Sequence, residues 1–591
     1  MDNQRNVILA AVLCILLIFG WDAAMRYIYP QPAEPVAAEQ ADAAPQASTS
    51  SAKHTREGGL SDPTLIAEEK RDLKSALAAP QRVSIDAPEL AGSINLVGAR
   101  VDDLTLRTHR QTVKKDSGPV RIFSPQGTPA EHFAQFGWVG EGVKLPDPRT
   151  LWTANGAKLT QDSPVTLSWD NGEGQRFLIK LSVDEKYMLT AEQTIANTGT
   201  GSVVVEPFAL INRTSKTASQ DTWNVHSGPI ADVNGAVDFD LDYDTLAEDG
   251  TSPIDGSTEW IGFTDIYWLS ALIPQEGQRL NAAFRAQGNE LYRADTIYAP
   301  VTVAAGKQVS RTTRLFAGAK ESNVLRDYEA QGIVNFGKSI DWGWFEIIAW
   351  PIWWLLTKLF GLVGNFGLAI ILLTVIIRGL MFPIAQKQFA SMAAMKAIQP
   401  KMKAIQERYS DDKQKQQQEI MALYKKEGVN PLAGCLPILI QIPIFFALYK
   451  TLLLSIEMRH QPFYLWIKDL SAPDPAKILN LFGLLPFDPP SFLGIGILAV
   501  LLGVTMWLTF RLNPTAMDPV QQQIFSIMPW MLMFVMAPFA AGLLLYWVTS
   551  NILTLAQQTY LYSQHPQLKA ASEKQKTDIA AVKARDEKRK G

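Results

Sequence analysis

Along this chain the apolar positions change period. Between 81 and 316 they alternate with polar ones. Val165, Leu167 and Trp169 share one face, Asn171-Gly172 turns the chain, and Phe177, Ile179, Leu181 and Val183 share a face again. After a second turn at Asp184-Glu185 come Tyr187, Leu189, Ala191, Gln193 and Ile195. Period-two runs of this length, punctuated by Gly, Asn and Asp, predict a large antiparallel β-sandwich. A helical stretch at 320–335 closes it, giving a domain over 81–335. From 361 onward the alternation gives way to continuous apolar runs, for which about 20 residues suffice to cross a bilayer. They place spans at 361–384, 432–456, 492–511, 522–538 and 542–563. The stretch from Ile524 to Leu561 is too long for one crossing, and Pro538-Phe-Ala-Ala-Gly542 breaks it into two short spans joined by a hairpin. The run Val7–Gly20 after MDNQR lacks a small-x-small cleavage site, so 1–29 reads as an uncleaved signal anchor and brings the total to six spans.

The connecting segments have their own patterns. Residues 30–80 are rich in Ala, Pro, Gln, Glu and Ser and predict a disordered linker with one short helix near Ala67–Leu77. Residues 341–360 hold Trp342, Trp344, Trp350, Trp353 and Trp354. Trp favours the bilayer interface, and Pro351 and Lys358 argue against a crossing, so this reads as an amphipathic helix lying in the interface. In 385–431, Met392, Met395, Ile398, Met402 and Ile405 recur at helical spacing, Ser410-Asp411-Asp412 supplies a turn and N-cap, and Ile420, Leu423 and Tyr424 start a second stripe. That is a helical hairpin. Its Met-rich stripe either contacts varied apolar segments or packs the two helices together.

Charge sets the orientation. Lys and Arg crowd 385–431 and the tail 564–591, while the loop 457–491 carries only Arg459, Lys468 and Lys477 among acids. The positive-inside rule puts both termini, the hairpin and the tail in the cytoplasm and the sandwich outside. The net charge of −3 says little about partners, no direct nucleic acid partner is expected, and two cysteines, Cys14 and Cys435, build no disulfide framework.

Arg378 is the most telling position. It lies in the run Phe366-GLAIILLTVII-Arg378-GLMFPI, and the other apolar runs offer no Asp or Glu. A charge inside a span costs roughly 2.5–3.5 kcal/mol. The runs do contain Gln441, Ser526, Thr549, Ser550, Asn551, Gln557 and Gln558, so an unpaired Arg implies a wet cavity walled by neutral polar groups. The alternative is snorkelling to the nearer surface. Other motifs are weaker. Gly332-IVNF-Gly337-Lys338-Ser339 matches the P-loop pattern but has no preceding strand. None of the histidines has a metal-ligand spacing, and no cofactor is indicated. An epimerase-like site using His132 or His226 with a carboxylate is a minor alternative, as is a solute transporter, whose internal repeats are missing.

Asp341-WGWF, Val363-GN-Phe366-G, Thr374-VII-Arg378-G, Met381-FP, Gln386-KQFASMAAMK, Val429-NPLAGCLPILIQIPIFFALYK, Pro462-F-x-LWIKDLS, Asp518-P-x-QQ-x-I and Leu545-YW-x-x-SN together resemble the YidC family of membrane protein insertases, over roughly 340–565. The resemblance implies a bacterial inner-membrane, multi-pass protein with a large periplasmic domain and a five-helix core. That core holds a hydrophilic groove open to cytoplasm and lipid. The family's groove arginine and threonine fall on Arg378 and Thr374, its third-span glutamine on Gln441, and its last-span aromatic pair on Tyr546-Trp547, followed by Ser550 and Asn551. It further implies nascent membrane proteins as clients, the Sec translocon and ribosome or targeting factors as partners, and no enzymatic activity. The chain departs from the family pattern at 471–492, where LNLFGLLPFDPPSF is longer.

Overall fold

The computed structural model describes residues 54–114, 116–220, 225–343, 346–410, 412–428, 436–483, 485, 487, 494–512 and 519–564. The signal anchor, the first part of the linker, Trp344, both cysteines and the tail beyond 564 lie outside the described residues.

The alternating region folds into two stacked sheets. One has eleven strands. Its path runs Thr251–Pro253, Leu280–Gly288, Leu291–Tyr298, Val203–Thr214, His132–Val139, Arg100–Arg110, Leu90–Asn95, Arg82–Asp86 and Lys158–Leu159. Pro119–Phe123 and Val301–Val303 pair off that path. The other has nine strands. It runs Ala236–Asp238, Gly228–Val233, Thr258–Thr264, Trp268–Pro274, Lys307–Ala319, Met188–Asn197, Gln175–Val183, Val165–Asp170 and Thr153–Ala154. The predicted alternation reads out directly: Phe177, Ile179, Leu181 and Val183 are buried, and the Phe177 ring meets Trp138 of the facing sheet edge-on at 5.1 Å. Gln193, which breaks the apolar face, is fully buried because its amide donates to the Gly137 carbonyl across the sandwich at 2.7 Å.

The linker expectation needs correction from His54 onward, because this part is ordered. Thr55 bridges Ser219, and Gly59 N–H donates to the Thr217 carbonyl at 2.8 Å. Helix α1 (Pro63–Leu77) starts with Pro at its first position, where a missing N–H costs nothing, and Asp62 caps it by accepting from Thr64 N–H at 2.7 Å. Glu69 pins α1 to the sandwich by accepting from Ala130 N–H at 2.9 Å. Composition alone read this segment as too polar to fold. It folds because it lies against a surface made by other parts of the chain.

Helix α2 (Tyr243–Asp249) lies beside the eleven-stranded sheet, and α3 (Ser322–Ala330) closes the domain as expected. The P-loop-like segment follows α3, a helix and not a strand. It forms a single 3-10 turn whose Phe336 packs on Trp260 and Phe316 at 5.6 and 5.2 Å. It is an aromatic plug with no phosphate cradle.

The helical region comprises α4 (Glu346–Val363), α5 (Phe366–Leu380), α6 (Phe382–Arg408), α7 (Lys413–Glu427), α8 (Leu436–Leu454), α9 (Ile497–Leu512), α10 (Pro519–Met536) and α11 (Ala541–Gln564). Helix α5 is capped by Asn365, which accepts from Leu368 N–H at 3.1 Å. Its Gly367 leaves room for the Phe463 ring, since a Cβ there would sit 2.0 Å from the ring. Asp412 caps α7, as the sequence predicts, by accepting from Lys415 N–H at 3.0 Å.

Helix α4 differs from the expected 341–360 in its bounds and in the burial of nearby tryptophans. It runs unbroken through Pro351 for 18 residues and, among the described residues, is the helix long and apolar enough to cross a membrane by length and composition. The tryptophans at and just before this helix are not all surface anchors either. Trp342 and Trp353 are buried in protein, Trp350 is half-buried beneath the Arg326 guanidinium at 4.5 Å, and among the described tryptophans of this stretch only Trp354 is well exposed. Burial requires a partner for the indole, and the Trp353 N–H points at the Glu457 carboxylate at 3.5 Å. That carboxylate is itself enclosed, and burial pushes its pKa up.

Candidate client groove

The polar residues of the apolar helices converge where α5, α8 and α11 meet. Arg378 closes the last turn of α5, and its Nε donates to the Ser550 hydroxyl at 3.0 Å; Nη2 reaches the same oxygen. The helices α5, α8, α9, α10 and α11 contain no Asp or Glu. Among the described residues, the guanidinium is thus held by a neutral hydroxyl. Below it, Gln557 donates to the Arg378 backbone carbonyl at 3.4 Å. From α8, Gln441 donates to the Tyr546 hydroxyl at 3.0 Å. Asn551, on the next residue after Ser550, turns to α9 and donates to Thr505 at 3.2 Å.

Side-chain spacing explains this arrangement. Tyr546, Ser550 and Gln557 recur on α11 at four and seven residues and share one face, toward α5 and α8. Asn551 falls about 100° further round and reaches α9 instead. The expected groove set therefore divides. Arg378, Ser550, Gln441 and Tyr546 are brought together. Trp547 packs on Phe445 of α8 at 4.9 Å as an apolar wall. Thr374 is fully enclosed, and its hydroxyl donates back to the Ile370 carbonyl at 2.6 Å, one turn up its own helix. It lies on the same face as Arg378 without sharing a polar contact with it. Snorkelling as the whole account of Arg378 meets a direct objection in the Ser550 hydrogen bonds, which tie the side chain to a neighbouring helix.

In the hairpin, Tyr424 of α7 donates to the Met402 sulfur at 3.3 Å, and Lys401 pairs with Glu427 at 2.7 Å. Met402 therefore serves the packing of α6 on α7. The side chains of Met392 and Met395 lie outside the described residues.

The residues matched by family models cover nearly all of the described chain. Residues 82–355 match the model described as the YidC periplasmic domain, and 358–569 match the 60Kd inner membrane protein model. The membrane protein insertase YidC of Zymomonas mobilis is 46% identical over 572 residues, covering 95% of this chain and 96% of that one. The chain belongs to the YidC family of membrane protein insertases. The Bradyrhizobium diazoefficiens YidC is 42% identical over 600 residues at the same coverage. A crystal structure of an active YidC insertase with its first transmembrane domain resolved aligns with 81% of this chain and 92% of that one. The alignment has 19% identity and a TM-score of 0.35.

Within this YidC family frame the histidine alternatives lose their footing. His132 is buried with Nε2 3.0 Å from the Ser270 hydroxyl. Burial, reinforced by the Arg213 charge, holds its pKa well below the usual imidazole range. His226 donates to the Pro229 carbonyl at 2.7 Å. Both are hydrogen-bonded parts of the sandwich.

Sequence reasoning missed a second cation in an apolar run. Lys450 of α8 is buried, donating to the Asp341 carbonyl and carboxylate at 2.9 and 3.0 Å. Like Arg378, Lys450 stands out as a charge in an apolar run. Its partner Asp341 lies outside those runs, before α4. The contrast is informative: Lys450 is paired with a carboxylate, whereas Arg378 meets a hydroxyl.

Proposed function

We propose that this YidC family member inserts membrane proteins by lending a hydrated positive charge, Arg378, to the outer segment of a client crossing the bilayer. The observation that carries this is that, among the described residues, the Arg378 guanidinium bonds to a neutral hydroxyl and to no carboxylate, in helices devoid of acids. A structural arginine would be expected to have a carboxylate, as Lys450 does. Gln441, Tyr546 and Ser550 form the neutral lining, with Thr374 supporting it from behind and Trp547 as the apolar edge. A client segment passing this point trades water for fixed polar groups and needs no ATP, because burying about 20 apolar residues in lipid supplies the drive. Reconstituted alone into liposomes, the protein is expected to insert a small two-span client without nucleotide. Failure with a well-incorporated protein would overturn the reading.

The topology we infer has six spans around a five-helix core, with both termini in the cytoplasm and the sandwich in the periplasm of a bacterial inner membrane. The Lys/Arg-rich hairpin and tail support it. The hairpin, the face toward the ribosome and targeting factors, and the Sec translocon beside the groove complete the proposed partners, with no direct nucleic acid contact. With the native cysteines replaced, Ser163→Cys on the exposed sandwich is expected to react with an impermeant maleimide in intact spheroplasts, and Gln418→Cys on α7 only after lysis. The reverse pattern would refute this orientation.

A further inference from the structure

Outside the groove, three side chains from two distant segments aim at a common point. Glu57 belongs to the ordered strap that precedes α1, while His460 and Asp469 belong to the loop that follows α8. Glu57 Oε1 lies 3.6 Å from His460 Nε2, which lies 3.8 Å from Asp469 Oδ2. One ligand atom from each falls within 4.8 Å of the others. These separations are too long for hydrogen bonds, which need roughly 2.7–3.2 Å. They suit neighbouring ligands on a shared ion. A point equidistant from three atoms so spaced lies about 2.1–2.4 Å from each, near the roughly 2.0–2.2 Å of zinc–nitrogen and zinc–carboxylate bonds.

The support around the three atoms is already built. Asp469 presents Oδ2 because Oδ1 is occupied, accepting from Ser471 N–H at 2.8 Å, Ser471 Oγ–H at 2.6 Å and His460 N–H at 3.2 Å. Glu57 presents Oε1 because Arg459 holds Oε2, with Nε at 2.9 Å. Arg459 in turn is fixed by the Arg110 carbonyl at 2.8 Å and stacks over Trp268 at 5.2 Å. Carboxylate ligands oriented by such outer hydrogen bonds are what a metal site requires. All three side chains are largely sheltered, with 30%, 17% and 11% of the side-chain surface exposed for Glu57, His460 and Asp469. Two carboxylates against Arg459 leave the pocket anionic, and one imidazole with two carboxylates selects Zn2+ or a similar transition ion over Ca2+ or Mg2+.

We propose that Glu57, His460 and Asp469 bind a divalent transition ion, Zn2+ by preference, with water completing the coordination. The ion clasps the strap to the loop. The strap leads from the N-terminal segment into the sandwich, and the loop joins α8 to α9, so the clasp couples the sandwich to the helical core. Arg56 marks the same seam, donating to Tyr267 at 2.9 Å, to the Leu453 carbonyl at 3.1 Å and to the Ser471 carbonyl.

The test uses the untagged full chain in detergent, stripped with a chelator and titrated with Zn2+, then with Co2+ for its visible absorption. One Zn2+ per chain is expected, with Co2+ bands of a low-symmetry nitrogen–oxygen site. His460→Asn removes the imidazole while keeping a residue that tolerates the left-handed backbone here (φ 60°). Glu57→Gln retains an acceptor for Arg459. Each is expected to weaken Zn2+ binding at least about tenfold. Zn2+ is also expected to slow amide exchange at Gly58 and Gly59 in the wild type and in neither variant. Absence of Zn2+ binding below about 100 µM, or full affinity in either folded variant, would overturn the site.

Discussion

Arg378→Ala is expected to slow insertion of a client with an acidic outer segment by about tenfold, the ~1.4 kcal/mol of one charge interaction in partly hydrated surroundings. The same variant should insert a client with a neutral outer segment at nearly the wild-type rate. The fold should survive, because removing the guanidinium frees one serine hydroxyl, which can turn to a backbone carbonyl of its own helix as Thr554 does. Arg378→Lys should retain most of the rate. Nε and Nη2 converge on the one Ser550 oxygen, with no paired acceptor for a bidentate fork, so a compact ammonium substitutes adequately. The measurement is client insertion into liposomes, with melting temperature in detergent as the control. If alanine slows acidic and neutral clients equally, the charge acts on the protein's own packing and the groove reading fails.

Much of this molecule was legible from residue order because its two regions obey simple periodicities. The strands at 165–197 were readable since each buries alternate residues against a second sheet, and the hairpin cap at Asp412 announced itself. Arg378 stood out for a related reason: a charge in an apolar run is a violation, and violations mark function or pairing. What stayed hidden was contact between distant segments. Residues 54–80 are polar enough to read as disordered, and nothing local says that Arg56 and Glu57 meet a loop some four hundred residues away. Thr374 was readable as a face but not as a depth; the 3.6-residue period puts it beside Arg378 while packing encloses it. The five tryptophans followed an interfacial rule of composition, and tertiary burial overrode it for Trp342 and Trp353.

Trp353 carries the second large effect. It is 3% exposed, sits among Ala349, Ile352 and Leu356 on the buried face of α4, and offers its N–H to Glu457. Truncating a buried tryptophan to alanine costs roughly 3–5 kcal/mol. Here the loss also strips the carboxyl of Glu457 of a donor, leaving the Ser322 N–H at 3.4 Å as its remaining partner outside its own turn. Glu457 opens the loop that carries His460 and Asp469, and Ser322 opens α3 of the sandwich domain, so the damage reaches the seam between the two regions. Trp353→Ala is therefore expected to lower the melting temperature by several degrees, reduce accumulation in the membrane, and abolish insertion. Trp353→Phe, which keeps most of the volume but loses the N–H, should fall between. Deletion of 90–310 should be far milder for insertion than Trp353→Ala, because none of the proposed groove residues lies in the sandwich. If Trp353→Ala accumulates and melts like the wild type while the deletion inactivates, then α4 is a passive anchor and the sandwich is the essential partner.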